Sequence, residues 1–180
     1  MNKIPVVALC AAMLVATPVF AQQTPATGSA AANPLDAVPD KMPFDVPYGT
    51  PISLERATVV INAAVAEAKK RDWKLNVAVV DSGGNLVAFQ RMDGAQLASI
   101  QISEHKARAA VTFRRETKAW ESAIQTNGAH YVMTLDGMIG SRGGIPLIEG
   151  GRIVGAIGCS GGTGSQDEVA WKAGVAALQR

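Results

Sequence analysis

Residues 76–92 read NVAVVDSGGNLVAFQRM, and this stretch decides the fold of the chain. Two β-rich runs, 76–80 and 86–92, are joined by the turn-forming residues DSGGN at 81–85. Glycine and asparagine tolerate the positive φ angles that tight connections between antiparallel strands require. The stretch therefore predicts a β-hairpin, and the other elements have to pack around it.

Helical patterns lie on both sides of this hairpin. Before it, Ser53 is a good N-cap for a helix that ends near Arg71. The apolar stripe of that helix consists of Leu54, Ala57, Ile61, Ala64, Val65 and Ala68. After the hairpin, the helical period covers 96–113, and a further helix is predicted over 116–125, ended by Asn127-Gly128.

Strand patterns return in the second half of the chain. The runs 145–149 and 152–158 flank Gly150-Gly151, a strong hairpin signal, and a strand over 131–135 is expected beside them. The sequence SQDE at 165–168 fits a capping box, so a final helix is predicted to begin there. Antiparallel hairpins with helices left to cover their faces predict a single-domain α+β fold, an antiparallel sheet layered with helices.

The N-terminal residues 1–51 show a different composition. Lys3, the apolar run 4–20 and the small residues up to Ala21 predict a signal peptide over 1–21, and hence a periplasmic or secreted protein. Residues 22–51 are rich in Pro and Ala without an apolar period, which predicts a flexible linker. Prolines at 39, 43, 47 and 51 leave open an extended arm that lies on a neighbouring subunit.

Charge and cysteine content exclude several classes of partner. The formal net charge is +2 at pH 7 and falls when Lys3 is removed, which predicts neither nucleic acid nor an anionic membrane surface as a partner. Cys10 lies in the predicted signal, so only Cys159 remains and no intrachain disulfide is expected. Packing alone has to hold the fold.

Four motifs resemble the GlcG/HbpS haem-binding-like family: VAVVDSGGNLVAF at 77–89, RMDGA at 91–95, GGIP at 143–146 and VGAIGCSGG at 154–162. For residues 52–180 this resemblance implies a profilin-like α+β fold and assembly into homo-oligomers such as octamers. It also implies haem or tetrapyrrole binding, as in characterised secreted members. Because the family includes proteins encoded beside glycolate oxidation genes and a domain fused to a cobalamin adenosyltransferase, function has to be argued from a site.

The helix predicted over 96–113 carries the candidate site. One of its faces, at spacings of 4, 3 and 4, consists of Ala98, Ile102, His105 and Ala109. A second apolar face consists of Leu97, Ile100, Ala107 and Val111, so burial on two sides is predicted. The small residues leave room beside His105 for a flat macrocycle or a partner helix, and a neutral imidazole is a competent axial ligand to haem iron. The alternative is a packed or interface histidine.

The resemblance also implies cationic partners for haem propionates on this helix. The family usually has a lysine at the position of Lys106, and Lys106 and Arg108 are the expected contacts. The alternative for Arg108 is an ordinary i,i+4 salt bridge with Glu104. The predicted haem site therefore has His105 as the metal ligand, with Ile102, Lys106, Arg108 and Ala109 around it.

Two alternatives stand beside a haem-binding sensor, scavenger or detoxifier. An enzyme or accessory catabolic protein for small hydroxy acids or aromatic acids would hold a carboxylate with Arg142 and the glycine-rich segment 158–164, which precedes the last helix. The other alternative is a structural oligomer with an incidental ligand.

The sequence favours a binding protein over an enzyme. The segment GCSGG at 158–162 fits the hydrolase pattern G-x-S-x-G, but His105 and His130 both precede Ser160, whereas that triad places histidine last. No His, Cys or carboxylate group has the spacing of a zinc or iron centre. Cys159 is expected to be a core residue at a strand end. Three methionines could ligate haem iron, but gap filling is their usual role: Met92, Met133 and Met138.

Overall fold

A computed structural model describes residues 37–179, so the predicted signal peptide and the linker up to residue 36 lie outside the described residues. In chain order the elements are helix α1 (Leu54–Lys70), strands β1 (Asn76–Asp81) and β2 (Leu86–Arg91), helices α2 (Ala98–Thr112) and α3 (Lys118–Gln125), a 3-10 helix (His130–Thr134), strands β3 (Gly144–Glu149) and β4 (Arg152–Ser160), and helix α4 (Gly164–Leu178). The four strands form one antiparallel sheet in the order β2-β1-β4-β3. The predicted α+β class is confirmed.

Both predicted hairpins are present because their turns carry local signals. In the β1-β2 turn, the Asp81 carboxylate accepts hydrogen bonds from the backbone N–H groups of Gly83 (2.8 Å) and Asn85 (2.9 Å). Gly84 takes a φ of +84° in this turn, and Gly150 and Gly151 take +55° and +73° in the β3-β4 turn. Such angles are the ones that glycine adopts without a steric penalty.

Helices α1 and α4 cover one face of the sheet. Ser53 caps α1 as predicted, since its side chain accepts from the Arg56 N–H. The core between these helices and the sheet includes the buried residues Val60, Ile61, Ala64, Val77, Val79, Leu147, Ile157 and Trp171. Each large aliphatic side chain in it contributes roughly 1.5–3 kcal/mol by leaving water. Gly174 lets α4 approach α1, because a Cβ there would lie 2.9 Å from the Val60 carbonyl oxygen.

Helix α2 covers the other face and lies directly on the sheet backbone. A Cβ at Gly158 would lie 2.1 Å from the Ser103 carbonyl oxygen and 2.6 Å from the Ala107 nitrogen. A Cβ at Gly144 would lie 2.4 Å from the carbonyl oxygen of Lys106. The buried residues of α2 are therefore mostly small: Ser99, Ser103, Lys106, Ala107, Ala109, Ala110 and Val111.

Residues 131–135 do not form the predicted strand. Residues 131–134 belong to the 3-10 helix and Leu135 is its C-cap; Val132 N–H bonds to the Ala129 carbonyl and Leu135 N–H to the Val132 carbonyl. Ala129 and Val132 are buried against Trp120, whereas Tyr131 is exposed. Burial of two residues three positions apart suits a 3-10 helix, whereas a strand would need alternation.

The last helix begins earlier than predicted. Thr163 is its N-cap, and a reciprocal capping box joins Thr163 to Gln166, with the Thr163 N–H 2.8 Å from Gln166 Oε1. Cys159 and Ser160, which lie beyond the predicted strand run 152–158, belong to β4 because they pair with Val77 and Asn76 of β1. The loop between β4 and α4 is correspondingly short.

Residues 44–52 are docked on the domain rather than belonging to a flexible linker; we call them the strap. Tyr48 forms a parallel bridge with Ile153, whose N–H bonds to Pro47 and whose carbonyl accepts from Gly49, both at 2.8 Å. β1 ends opposite Gly155, so Ile153 has no β1 partner. The strap supplies the hydrogen bonds that these buried backbone groups require. Over residues 44–52, the extended arm that the prolines left open lies on its own chain.

Candidate functional site

His105 lies on the outer side of α2 and is half-buried. Its Nε2 atom is 3.2 Å from the carbonyl oxygen of Gly137, in the loop that follows the 3-10 helix. A carbonyl only accepts, so this contact requires the proton on Nε2. The imidazole thus stands at the surface, held by one backbone contact from another part of the chain.

The apolar surface beside His105 lies toward the start of α2. Ile102, one turn earlier, is half-buried, and Leu97 at the N-cap is 72% exposed. Ala109, one turn later, is fully buried, so the expected room on that side is absent. Met138, which follows Gly137, is partly buried against the cluster around Trp120. The surface beside His105 is therefore apolar toward Ile102 and closed toward Ala109.

Lys106 does not share this surface with His105. Its ammonium lies 2.8 Å from Asp167 Oδ2 and donates to the Cys159 carbonyl at 3.2 Å, and the two charged side chains are only 3% and 2% exposed. Burial raises the pKa of Asp167, an effect that the ammonium opposes. Lys106 was expected to contact a haem propionate at the solvent-exposed edge of the ligand, but it does not reach the surface. It connects α2 to β4 and α4 inside the protein.

Arg108 forms a salt bridge with Glu104, which was the alternative to a propionate contact. Its guanidinium lies 2.9 Å from Glu104 Oε2, and its side chain is 49% exposed. Such an i,i+4 pair is worth only a few tenths of a kcal/mol. The guanidinium therefore stays at the surface, one turn beyond His105, and exchanges partners at little cost.

The groups expected to hold a small carboxylate are already engaged. Arg142 donates from Nε to Glu121 Oε1 at 2.7 Å, and its backbone N–H donates to Oε2 of the same residue at 2.9 Å. The N-terminus of α4 is closed by its capping box, and the Gly162 N–H lies 3.3 Å from Asp167 Oδ1. Neither Arg142 nor segment 158–164 offers an open carboxylate site.

A cluster of charged side chains around Glu168 was not found from the sequence. Glu168 contacts Lys118 at 3.3 Å and Lys172 at 2.6 Å. Nearby, Glu116 has a buried Oε1 atom with no hydrogen-bond partner among the described residues. Burial first, and then the charge of Glu168, raises the pKa of Glu116. The helical pattern at 116–125 was the only sequence signal. It did not indicate that Glu116 and Lys118 lie close to Glu168 in the fold.

The remaining candidates take structural or peripheral positions. Cys159 is fully buried, and burial with the nearby Asp167 carboxylate raises the pKa of its thiol, so it is an unreactive core residue. His130 is exposed on the 3-10 helix, and Met92 packs on the α1 side of the sheet. Within residues 37–179 no group of three or more His, Cys, Asp or Glu side chains could hold a metal ion. No helix in this part of the chain is long and apolar enough to span a membrane.

The fold and the site define a small profilin-like α+β domain that presents a histidine on its outer helix. A family model described as "Haem degrading protein HbpS-like" matches residues 52–176. The chain belongs to this HbpS-like family.

Individual relatives agree with this membership. Protein GlcG of Escherichia coli K12 is 40% identical over 109 residues, which cover 61% of this chain and 81% of that protein. The crystal structure of a Streptomyces reticuli HbpS double mutant has a TM-score of 0.66 at 31% identity and covers 78% of this chain and 95% of that one. A crystal structure described as a PduOC:haem complex has a TM-score of 0.64 at 26% identity and covers 71% and 95%.

Proposed function

We propose that this protein binds haem or a related tetrapyrrole on the outer face of α2, with His105 as the iron ligand. The single observation that carries the proposal is the surface position of the His105 imidazole on the outer side of α2, on the same helix face as the apolar side chain of Ile102. Two comparisons support it: the family description names haem, and one structural neighbour is described as a haem complex. No enzymatic step is proposed.

The residues present fit a haem group with one local rearrangement. Nε2 of His105 is the nitrogen that faces the Gly137 carbonyl, so ligation through Nε2 requires this contact to open and the proton to leave Nε2. A single hydrogen bond of this kind contributes about 1 kcal/mol, which an iron-imidazole bond exceeds. Ile102 would contact the macrocycle, and Arg108 would release Glu104 to meet a propionate.

The proposed setting is outside the cytoplasm. The signal-peptide pattern over residues 1–21 supports export to the periplasm or beyond. An exported protein that holds haem through one surface histidine suits a sensor, scavenger or detoxifier, because a ligand bound at a surface is readily taken up and released. These roles share one requirement, which is saturable haem binding.

Titration of the purified protein with haemin tests the proposal. We expect saturable binding with a shifted Soret band. Metal-free protoporphyrin IX is the matched control, because it keeps the ring and the propionates and lacks the iron that His105 would ligate. Haemin is expected to bind at least about tenfold more tightly than the control, equivalent to ~1.4 kcal/mol. Absence of saturable haemin binding would overturn the proposal.

A further inference from the structure

Residues 118–143 leave the body of the domain and return to it at one place; we call them the flap. The backbone N–H of the fully buried Thr117 donates to the Gly144 carbonyl at 2.9 Å, and the Thr117 hydroxyl accepts from the Gly144 N–H at 3.0 Å. These two hydrogen bonds hold both ends of the flap together at the start of β3. A segment whose ends are joined can change position while the elements on either side of it stay in place.

The flap has a hydrophobic cluster of its own. Trp120 packs with Ala129 and Val132 in a cluster that is separate from the two clusters formed by the sheet and the helices on its faces. From the body of the domain, Phe113 at the C-cap of α2 joins this cluster, with its ring edge-on to Trp120 at 5.0 Å between centroids. Because most of the apolar contacts of the flap lie within it, the flap can open as a unit.

The outer part of the flap is held to the body by one polar contact. In the part of the chain that the structure describes, the only hydrogen bond or ion pair that joins residues 122–141 to the rest of the domain is the one between the Gly137 carbonyl and His105 Nε2. The salt bridges of the flap lie near its two ends, at Lys118 and Arg142. A single hydrogen bond at the far side opens readily.

The flap lies against the face of α2 that carries the proposed haem site. Its Gly137 carbonyl is 3.2 Å from Nε2 of His105, the atom that would ligate iron. Ala109, one turn beyond His105 on the same face, is fully buried although it is absent from the cluster that α2 forms with the sheet. With the flap in this position, Nε2 is occupied and the surface next to it is closed toward Ala109.

We propose that the flap is a lid that opens and closes over His105 and so controls the access of a ligand to the imidazole. The identity of that ligand rests on the proposed function, whereas the motion of the flap does not. Opening separates Gly137 from Nε2 while Thr117 and Gly144 keep the ends of the flap in place. Haem and the Gly137 carbonyl thus compete for one nitrogen atom.

Amide hydrogen exchange of the purified protein without haem tests whether the flap opens by itself. The Val132 N–H is hydrogen-bonded within the flap, whereas Ile157 lies in the central strand β4 and pairs with Val79 of β1. We expect a protection factor at Val132 at least about a hundredfold lower than at Ile157, because the flap opens without unfolding of the sheet. Equal protection at the two positions would overturn the proposal.

The reactivity of the two histidines measures access to the imidazole, again without haem. Diethyl pyrocarbonate acylates neutral imidazoles, and His130, exposed on the flap, is the internal reference. We expect His105 to react about tenfold more slowly than His130, because the flap blocks Nε2 in the closed state. Trp120→Phe should loosen the flap and accelerate the reaction of His105 several-fold, and Trp120→Ala should do so more strongly. Trp171→Phe is the matched control, since Trp171 is equally buried, at 5% exposed, but belongs to the core on the α1 side.

Stopped-flow mixing with haemin connects the flap to ligand binding. Haemin should associate several-fold faster with Trp120→Phe than with wild type, because a larger fraction of the molecules is open, whereas Trp171→Phe should match wild type. Equal reactivity of His105 in wild type and both Trp120 variants, or equal association rates, would overturn the lid. Absence of haemin binding together with the expected exchange and histidine reactivity would overturn the proposed ligand and support the lid.

Discussion

At the scale of single residues, the buried pair of Lys106 and Asp167 is the interaction with the largest predicted effect on stability. Removing one partner leaves an uncompensated charge inside the protein, which typically costs 3–5 kcal/mol. Lys106→Met should therefore lower the free energy of unfolding by about 4 kcal/mol at pH 7, measured by urea denaturation. The double variant Lys106→Met, Asp167→Leu is the control and should recover most of the loss, because no isolated charge remains.

The pH dependence of Lys106→Met provides a second check. Burial raises the pKa of Asp167, and without the ammonium only the hydrogen bond from the Gly162 N–H opposes that rise. A carboxyl whose folded-state pKa is raised stabilises the fold below its unfolded pKa, and this stability is lost as the pH rises through the folded value. The deficit of the variant should therefore shrink as the pH falls toward 4. A deficit that is constant from pH 4 to 8 would contradict the charged-pair interpretation.

The contrast between His105 and Lys106 explains which site residues the sequence could predict. His105 was assigned to the outer face of α2 from its spacing, and it lies there. Lys106 was expected to contact a haem propionate, on the basis of the family resemblance. The prediction for Lys106 was wrong because the residues of α2 that face the sheet are small and partly polar, Ser99 and Ser103 among them. Such residues do not form the apolar stripe that indicates a buried helix face. Only the glycines of the sheet, far along the chain, make such a face suitable for burial.

At the scale of secondary-structure elements, the approach of α2 to the sheet depends on Gly158. Gly158→Ala would place a Cβ 2.1 Å from the Ser103 carbonyl oxygen, so the helix has to move away from β4. We expect a loss of about 3 kcal/mol in the free energy of unfolding, as for severe overpacking. Gly83→Ala is the matched control, since its nearest atom is the flexible Asn85 side chain at 3.1 Å. Equal stability of the two variants would contradict the close helix-sheet packing.

The strap is anchored by the hydroxyl of Tyr48. This hydroxyl lies 2.9 Å from the Val111 carbonyl oxygen and 3.0 Å from that of Thr112, at the C-terminal end of α2. Tyr48→Phe should cost about 1 kcal/mol and increase amide hydrogen exchange at Gly49 and Ile52. Tyr131→Phe, at an exposed tyrosine of the 3-10 helix, is the control and should change neither quantity. Unchanged exchange in Tyr48→Phe would show that the hydroxyl does not hold the strap.

Elements that carry their own local signals were the ones predicted correctly. Both hairpins follow from turn residues, and α1 follows from its cap and apolar stripe. The strap and the 3-10 helix depend on distant parts of the chain. The strap lies where β4 extends beyond β1, and the 3-10 helix follows α3, whose Trp120 covers Val132. No local sequence pattern predicts either the position of the strap or the 3-10 helix.

At the scale of the whole molecule, we propose a homo-oligomer that uses the outer face of α2. Leu97 is 72% exposed there, and an apolar side chain of this size favours contact with a second subunit. Leu97→Asp should lower the mass measured by light scattering and leave the circular dichroism unchanged. Leu54→Asp, at a leucine of α1 that is 63% exposed, is the control. Ala109 is fully buried within the single chain, so a carboxylate there would unfold the domain rather than test the interface. A wild-type monomer at micromolar concentration would contradict the assembly.

Under the proposed function, the haem affinity of the whole protein depends on one imidazole, and comparison of wild type with His105→Ala in a haemin titration measures that dependence most directly. We predict that His105→Ala loses the low-spin spectrum of the wild-type complex and binds haemin at least about tenfold more weakly, with unchanged circular dichroism. The imidazole is at the surface, so its removal leaves the core intact. The same Soret band and the same affinity in a correctly folded His105→Ala protein would contradict His105 as the iron ligand.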